Sequence, residues 1–101
     1  MPLHHLVMIK LAGGDGGASA SKIDPLIRTL VETAPGTLTR ETAVDLGLRP
    51  GHPRSYHRLL HLTFADADGF RTYVDSTPHQ EFLAAVADLV ESIAAIQHDG
   101  G

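Results

Sequence analysis

The sequence predicts an α+β fold of the ferredoxin-like type, in which a four-stranded antiparallel sheet carries helices on one face. Two observations support this prediction. Segments with strand-like and helical hydrophobic periodicity follow one another in the order β-α-β-β-α-β, which is the split βαβ arrangement. The 101 residues are enough for one domain and too few for two, so residues 1–101 are expected to form a single domain.

The first strand is expected at residues 3–11 (LHHLVMIKL), which are rich in branched apolar residues and end at a glycine-rich segment. That segment, residues 12–17, has no GxGxxG pattern. It also lacks the Lys and the hydroxyl residue that a P-loop needs, so we interpret it as a flexible connector rather than a phosphate-binding loop.

A helix is expected over residues 19–34, where apolar residues recur on one helical face until a Pro-Gly pair stops the pattern. Its start has two alternatives. Ser21 with Asp24 resembles a capping box, while Asp24 before Pro25 could itself be the N-cap.

The middle of the chain predicts a pair of strands followed by a short helix. Residues 37–46 contain Thr and Val and form a moderately good strand pattern. Residues 47–55, with two prolines and two glycines, predict a loop. The third strand is expected at residues 56–64 and a short helix at residues 66–75.

A second helical segment opens at Thr77, which we predict to be its N-cap, with Pro78 at the first position and Gln80 closing a capping box. Its apolar face is formed by Phe82, Leu83, Val86, Leu89 and Val90. Residues 92–97 are expected to form a short last strand.

Both faces of the predicted sheet carry apolar residues. One face of the first and third strands bears Leu6, Met8, Leu59 and His61, and the opposite face is also largely apolar. Two helices can cover only one face of a sheet. We therefore expect the face bearing Leu6, Met8, Leu59 and His61 to meet a second copy of the chain, the alternative being a monomer with a mixed outer face.

The composition excludes several classes of function. The formal net charge is −4 and the eight Lys and Arg residues are scattered, which argues against a nucleic-acid partner. Cysteine is absent, which excludes disulfides, thiolate catalysis and thiolate metal sites. The chain has neither the pattern of a signal peptide nor an apolar stretch of about 20 residues, so we expect a cytoplasmic protein without membrane contact.

Three segments together resemble the stress-responsive dimeric α/β-barrel family: the strand HHLVMIKL, the strand SYHRLLHLTF and the segment FRTYVDSTPHQEF. The resemblance covers nearly the whole chain. Its most specific part is Tyr73 followed by Pro78 and His79, and a second marker is the apolar run from His5 to Lys10.

The resemblance implies a homodimer whose two sheets face each other, with a hydrophobic cavity between sheet and helices in each subunit. Most members of the family have no established activity. One plant member catalyses the aldol cyclisation of a linear polyketide, and its acid/base Tyr and His match Tyr73 and His79, while its first-strand His matches His5. Arg58 stands where that cyclase has a third-strand His, which is a departure from the pattern.

Tyr73 and His79 are therefore the candidate catalytic residues. A neutral imidazole near a helix start can act as a general base, and a phenol can donate a hydrogen bond to a carbonyl or enolate oxygen. The structural alternative is that His79 caps the helix and Tyr73 belongs to the core. The predicted substrate-binding residues are His5, Arg58, Val7, Leu60 and Phe82.

His5 and Arg58 also have structural alternatives. His5 could orient a ligand carbonyl or be a satisfied structural histidine, and Arg58 could bind a ligand anion or form an ion pair with Glu41 or Asp45. His4, His57 and His61 are expected on the subunit-facing side. His57 and His61 would be roughly 13 Å apart on a strand, too far to share one ion, so we predict no metal and no organic cofactor.

Three functional hypotheses follow. The first is a cofactor-independent enzyme that performs acid/base chemistry, such as aldol-type cyclisation, on a polyketide-like carbonyl substrate. The second is a non-catalytic stress-responsive or ligand-binding dimer. The third, cofactor-free oxygenation on the same fold, is less favoured because the chain has no Trp and few aromatic residues. An open cavity lined by Tyr73 and His79 would support the enzyme, and a packed interior the second hypothesis.

Overall fold

A computed structural model of the chain describes residues 2–49, 51 and 55–100 and confirms the predicted fold class. Four strands form one antiparallel sheet in the order β2-β3-β1-β4, with three helices in the connections. The elements are β1 (Leu3–Leu11), α1 (Ala18–Thr33), β2 (Thr37–Val44), β3 (Arg58–Phe64), α2 (Ala67–Val74), α3 (Thr77–Val86) and β4 (Val90–Asp99). No helix among the described residues is both long enough and apolar enough to cross a bilayer.

The strand register decides which side chains share a face. Val7 of β1 pairs with Leu60 of β3 and Ala95 of β4, and the neighbouring residue Leu6 pairs with His61 and Ile96. Because side chains alternate along a strand, the first set lies on one face and the second on the other. The odd-numbered residues of β1 face the helices, as predicted, and the even-numbered ones lie on the open face of the sheet.

The core lies between the helix-facing side of the sheet and the apolar stripe of α1. Ile23, Ile27 and Leu30 of α1 recur at helical spacing and are buried against the sheet. The sheet residues buried there include Ile9, Leu11, Leu60, Leu62 and Phe64. The first strand was predicted with its observed limits because it is rich in branched apolar residues and ends at the glycine-rich segment.

The predicted N-caps of two helices are wrong. Helix α1 begins after Gly17 with no side-chain cap, and Pro25 lies inside it. The carboxylate of Asp24 does not cap a helix because both of its oxygens bind the Arg58 guanidinium. Helix α3 is capped by Ser76 rather than Thr77, and the Ser76 hydroxyl accepts a hydrogen bond from the His79 backbone N–H.

The limits of four elements also differ from the prediction. Helix α3 ends at Val86, so Leu89 and Val90 do not belong to its apolar face. Strand β4 starts at Val90 and reaches Asp99 because it pairs with β1 along almost its full length. Strands β2 and β3 are shorter than predicted at the ends that meet the connection between them. Part of the predicted loop at residues 47–55 lies outside the described residues.

Candidate active site

A cavity of about 120 Å³ lies between the sheet and the helices. It is lined by His5, Val7, Leu30, Leu60, Tyr73, His79, Phe82, Leu83, Ile93 and Ala95. The structure therefore brings together six of the seven site residues predicted from the sequence; Arg58 is absent from this lining. Val7 and Leu60 form part of its floor because they are paired neighbours on the helix-facing side of the sheet.

The turn between α2 and α3 brings Tyr73 and His79 together. Ser76 organises this turn, because its hydroxyl donates to the Tyr73 carbonyl oxygen at 2.6 Å and accepts from the His79 N–H at 3.4 Å. Pro78 follows at the second helical position, where the missing N–H costs no helical hydrogen bond. The ring centroids of Tyr73 and His79 are 4.9 Å apart.

The His79 imidazole is oriented by the end of α2. Its Nδ1 lies 2.9 Å from the Val74 carbonyl oxygen, which can only accept, so Nδ1 carries the proton and donates. In a neutral ring this arrangement leaves the lone pair on Nε2. A histidine whose tautomer is fixed by a backbone carbonyl in this way has a basic nitrogen directed away from that carbonyl.

The Tyr73 side chain is 2 % exposed and packs against aromatic rings. Its ring centroid is 5.3 Å from that of Phe64 and 6.5 Å from that of Phe70. Burial raises the pKa of the Tyr73 phenol to about 12, so the hydroxyl stays protonated at neutral pH and acts as a hydrogen-bond donor. The hydroxyl group thus has the protonation state that a donor to a carbonyl oxygen requires.

His5 is buried on the helix-facing side of β1. The Gln97 side-chain amide lies 2.9 Å from His5 Nδ1 and, as placed, donates to it, which leaves the His5 proton on Nε2. Burial, with a smaller contribution from the charge of His79, lowers the pKa of His5 to about 4. His5 is therefore neutral at pH 7, and its ring lies 6.1 Å from that of Tyr73 and 4.8 Å from that of Phe70.

Five residues of the site were not predicted as site residues from the sequence: Gln97, Leu30, Leu83, Ile93 and Ala95. Gln97 meets His5 only because β4 pairs with β1 in a register that places the two residues opposite each other. For the three β4 residues the available signal was the alternation of residues 93, 95 and 97, which places them on one face of the strand. For Leu30 and Leu83 it was the helical periodicity of their segments.

Arg58 is held away from the cavity by two carboxylates. Its guanidinium binds both oxygens of Asp24 at 2.8 and 3.1 Å and one oxygen of Asp15 at 2.9 Å. These hydrogen bonds raise the pKa of Arg58 further above its usual value. The ion-pair alternative is therefore the observed state, but its expected partners were wrong for a reason of geometry. Glu41 pairs opposite His61 and lies on the other face of the sheet.

The three histidines that we expected on the subunit-facing side lie in two places. His4 and His61 lie on the open face, as predicted, and His4 Nδ1 is 2.8 Å from His61 Nε2. The prediction for His57 is wrong. His57 precedes β3 and is buried at the end of β1, where its Nδ1 accepts a hydrogen bond from the Leu11 N–H at 2.9 Å.

Within residues 2–49, 51 and 55–100, no group of three or more His, Asp or Glu side chains has an arrangement that could hold a metal ion. That the protein needs no metal stays a prediction from the sequence.

Comparison with known proteins gives one family and a set of similar folds. The family model described as the stress responsive A/B barrel domain matches residues 3–98. No curated protein sequence matches significantly. A dimeric ferredoxin-like protein of unknown function from Thermobifida fusca is 22% identical with a TM-score of 0.79, over 97% of this chain and 90% of that one.

Two further solved structures are similar at lower sequence identity. A Dabb family protein with a ferredoxin-like fold from Mesorhizobium loti is 18% identical with a TM-score of 0.80, over 98% of this chain and 96% of that one. The hydroxynitrile lyase of Passiflora edulis is 20% identical with a TM-score of 0.75, over 96% and 91% of the two chains. At these identities the likeness establishes the fold alone.

Proposed function

The chain belongs to the stress responsive A/B barrel domain family, and on that premise we propose that it is a homodimeric, cofactor-independent enzyme of carbonyl acid/base chemistry. One observation carries the proposal. The buried phenol of Tyr73 and the oriented imidazole of His79 line one apolar cavity with their ring centroids 4.9 Å apart. A general base next to a hydrogen-bond donor in an apolar cavity is what proton abstraction beside a carbonyl requires.

The reaction begins with His79 Nε2 removing a proton from the carbon next to the substrate carbonyl. The electron pair of the broken C–H bond passes into the enolate, whose oxygen accepts a hydrogen bond from the Tyr73 hydroxyl. In an aldol-type cyclisation the enolate carbon then attacks a second carbonyl of the same molecule. The His79 imidazolium returns its proton to the alkoxide that forms, so the step needs no oxidant, reductant or cofactor.

The neutral state of His5 suits the same chemistry. A cationic His5 would compete with protonation of His79, since the two imidazoles repel each other when charged. Because the pKa of His5 is about 4, His5 contributes a neutral Nε2–H donor at pH 7. We assign to it the orientation of the substrate carbonyl, with Gln97 fixing its tautomer.

The volume of the cavity bears on the substrate. Pockets for drug-sized ligands occupy roughly 300–1,000 Å³, so a cavity of about 120 Å³ fits only a small carbonyl-bearing group. A second cavity of about 310 Å³ lies between α1 and α3 and shares Leu30 and Phe82 with the first. A polyketide-like substrate would place its reacting carbonyl at Tyr73 and the rest of its chain beyond Phe82.

The dimer is proposed from the open face of the sheet. Met8 and Ile96 are 40% and 59% exposed there, and with Leu6, Leu59 and Ala94 they border an apolar depression of about 320 Å³. Contiguous exposed apolar surface of this kind marks association sites. The similar proteins of T. fusca and of two other bacteria are described as dimeric, which supports a second copy of the chain as the partner.

The experiment for the catalytic proposal is exchange of α-protons of small ketones, such as acetone and 2-butanone, in D₂O followed by proton NMR. The wild type is expected to accelerate exchange over buffer. His79→Ala and Tyr73→Phe should each slow the protein-dependent rate by at least about tenfold, since a positioned acid or base contributes about 10²–10⁴-fold. Thr72→Ala, which changes an exposed neighbour of Tyr73, is the matched control and should keep the rate.

A wild type that exchanges no faster than buffer, or variants that exchange as fast as the wild type, would reject catalysis by this pair. Ketone binding without exchange would favour the alternative function, a non-catalytic ligand-binding dimer of the same family.

A further inference from the structure

Three imidazoles cross the open face of the sheet in a line that the catalytic proposal does not use. His98 of β4, His4 of β1 and His61 of β3 occupy neighbouring strands, and we call them the histidine row. The rings of His98 and His4 stack at 4.7 Å with an interplanar angle of 2°. The rings of His4 and His61 are 5.1 Å apart and joined by the hydrogen bond between Nδ1 and Nε2.

The histidine row lies beside the apolar part of the proposed dimer interface. His61 pairs directly with Leu6, and His98 follows Ile96 on the same face of β4. A second copy that covers Leu6 and Ile96 therefore also approaches the row.

The geometry of the row requires neutral rings. The bond between His4 and His61 needs one N–H and one nitrogen lone pair, so it is lost when both rings are protonated, and two N–H groups then face each other across 2.8 Å. The parallel stack of His4 on His98 likewise brings two charges close together when both are protonated. The row can hold one proton, and each further proton is repelled.

Among the described residues, the charged groups around the row do little to offset this repulsion. On β2, Glu41 Oε2 lies 3.7 Å from His61 Nδ1, but the Glu41 side chain is mostly exposed. On β1 and β4, Lys10 pairs with Glu91 at the far end of this face, and the carboxylate of Asp99 belongs to the helix-facing side, opposite Leu3. Arg40 of β2 is also on the helix-facing side, opposite Leu62. The helices pack on that side and contribute no charge to the row.

We propose that the histidine row makes self-association pH-dependent, because the two copies fit together only while the imidazoles are neutral and separate when they are protonated. The proposal rests on the homodimer proposed above. Association takes the row out of water, which penalises charged rings, and it adds the row of the second copy. The dimer therefore releases protons when it forms and weakens as the pH falls and the imidazoles gain protons.

The test is the dimer dissociation constant measured by sedimentation equilibrium at pH 7.5 and pH 5.5, with circular dichroism at both values to verify folding. The wild type should dissociate at least about tenfold more readily at pH 5.5. The double variant His4→Gln/His61→Gln keeps polar side chains but cannot be protonated, so it should lose most of this difference. His98→Phe retains a stacked ring without charge and should reduce the difference in part.

Two controls separate the row from general acid effects. His79→Gln removes a histidine on the helix side and should retain the full pH response. Glu41→Gln removes the acidic neighbour that favours a charged His61, so it should move the loss of association to lower pH. A wild-type dissociation constant equal at the two pH values would overturn the role of the row but not the dimer. A double variant that keeps the wild-type difference between the two pH values would do the same. A monomer at pH 7.5 would overturn the proposed dimer itself.

Discussion

Acidification should destabilise the folded chain through His5. The size of the decrease in the free energy of unfolding follows from the burial of the His5 ring. The pKa of His5 is lowered from 6.5 to about 4 in the folded protein because burial disfavours the charged ring. Between these two values the unfolded chain binds a proton at His5 that the folded chain does not. Stability contributed by the neutral ring is therefore complete above pH 6.5 and declines as the pH falls toward 4.

The expected size of the effect can be worked from linkage. A shift from 6.5 to about 4 corresponds to about 3 kcal/mol once both states are protonated. At pH 5, where the unfolded ring is almost fully protonated and the folded ring is mostly neutral, the loss is about 2 kcal/mol. This is a large fraction of the stability of a domain of this size.

The measurement is urea unfolding of the wild type and His5→Gln at pH 7.5 and pH 5.0, at one protein concentration. Glutamine can still meet Gln97 but does not titrate, so the free energy of unfolding of the wild type should fall by about 2 kcal/mol more than that of the variant. Other titrating groups, including the histidine row, act on both proteins and cancel in this comparison. An equal fall in the two proteins would refute the reasoning that His5 is neutral because it is buried.

Two further predictions concern residues outside the cavity. Replacing Arg58 with Met leaves Asp24 and Asp15 without their guanidinium, so the free energy of unfolding should fall by about 1–3 kcal/mol. Ketone exchange per folded molecule should stay unchanged. Lost exchange in a folded Arg58→Met protein would show that Arg58 does bind the ligand. Replacing Leu59 with Asp puts a charge in the proposed interface, so light scattering should give the monomer mass of 10.8 kDa at micromolar concentration. An unchanged larger mass would contradict an interface on this face.

The catalytic pair could be predicted from the sequence because its two residues are close along the chain. Tyr73 and His79 are separated by one helix end, one turn and one helix start, and each of these has a local signal. The N-cap was misplaced by one residue because Ser76 and Thr77 both carry a hydroxyl group before Pro78. The path of α2 decides which of the two residues is the cap, because it brings the Tyr73 carbonyl oxygen within reach of Ser76, whose hydroxyl donates to it.

Contacts between distant segments could not be predicted in the same way. Asp24 reaches Arg58 across 34 positions, and only the packing of α1 on β3 brings them together. Gln97 meets His5 through the pairing of the last strand with the first. The expected Arg58–Glu41 pair failed for the same reason, because the register between β2 and β3 places the two residues on opposite faces of the sheet.

The central claim is that Tyr73 and His79 act on one ligand in one cavity, and the most direct test is NMR of ¹⁵N-histidine-labelled protein titrated with 2-butanone. Before addition, His79 should be the Nδ1–H tautomer and His5 the Nε2–H tautomer. On addition, the His79 Nε2 and His5 signals should move together along one binding curve, while those of His61 and His98 on the open face stay in place. Signals of His79 and His5 that do not respond at saturating ketone, or a response confined to the open face, would contradict the account.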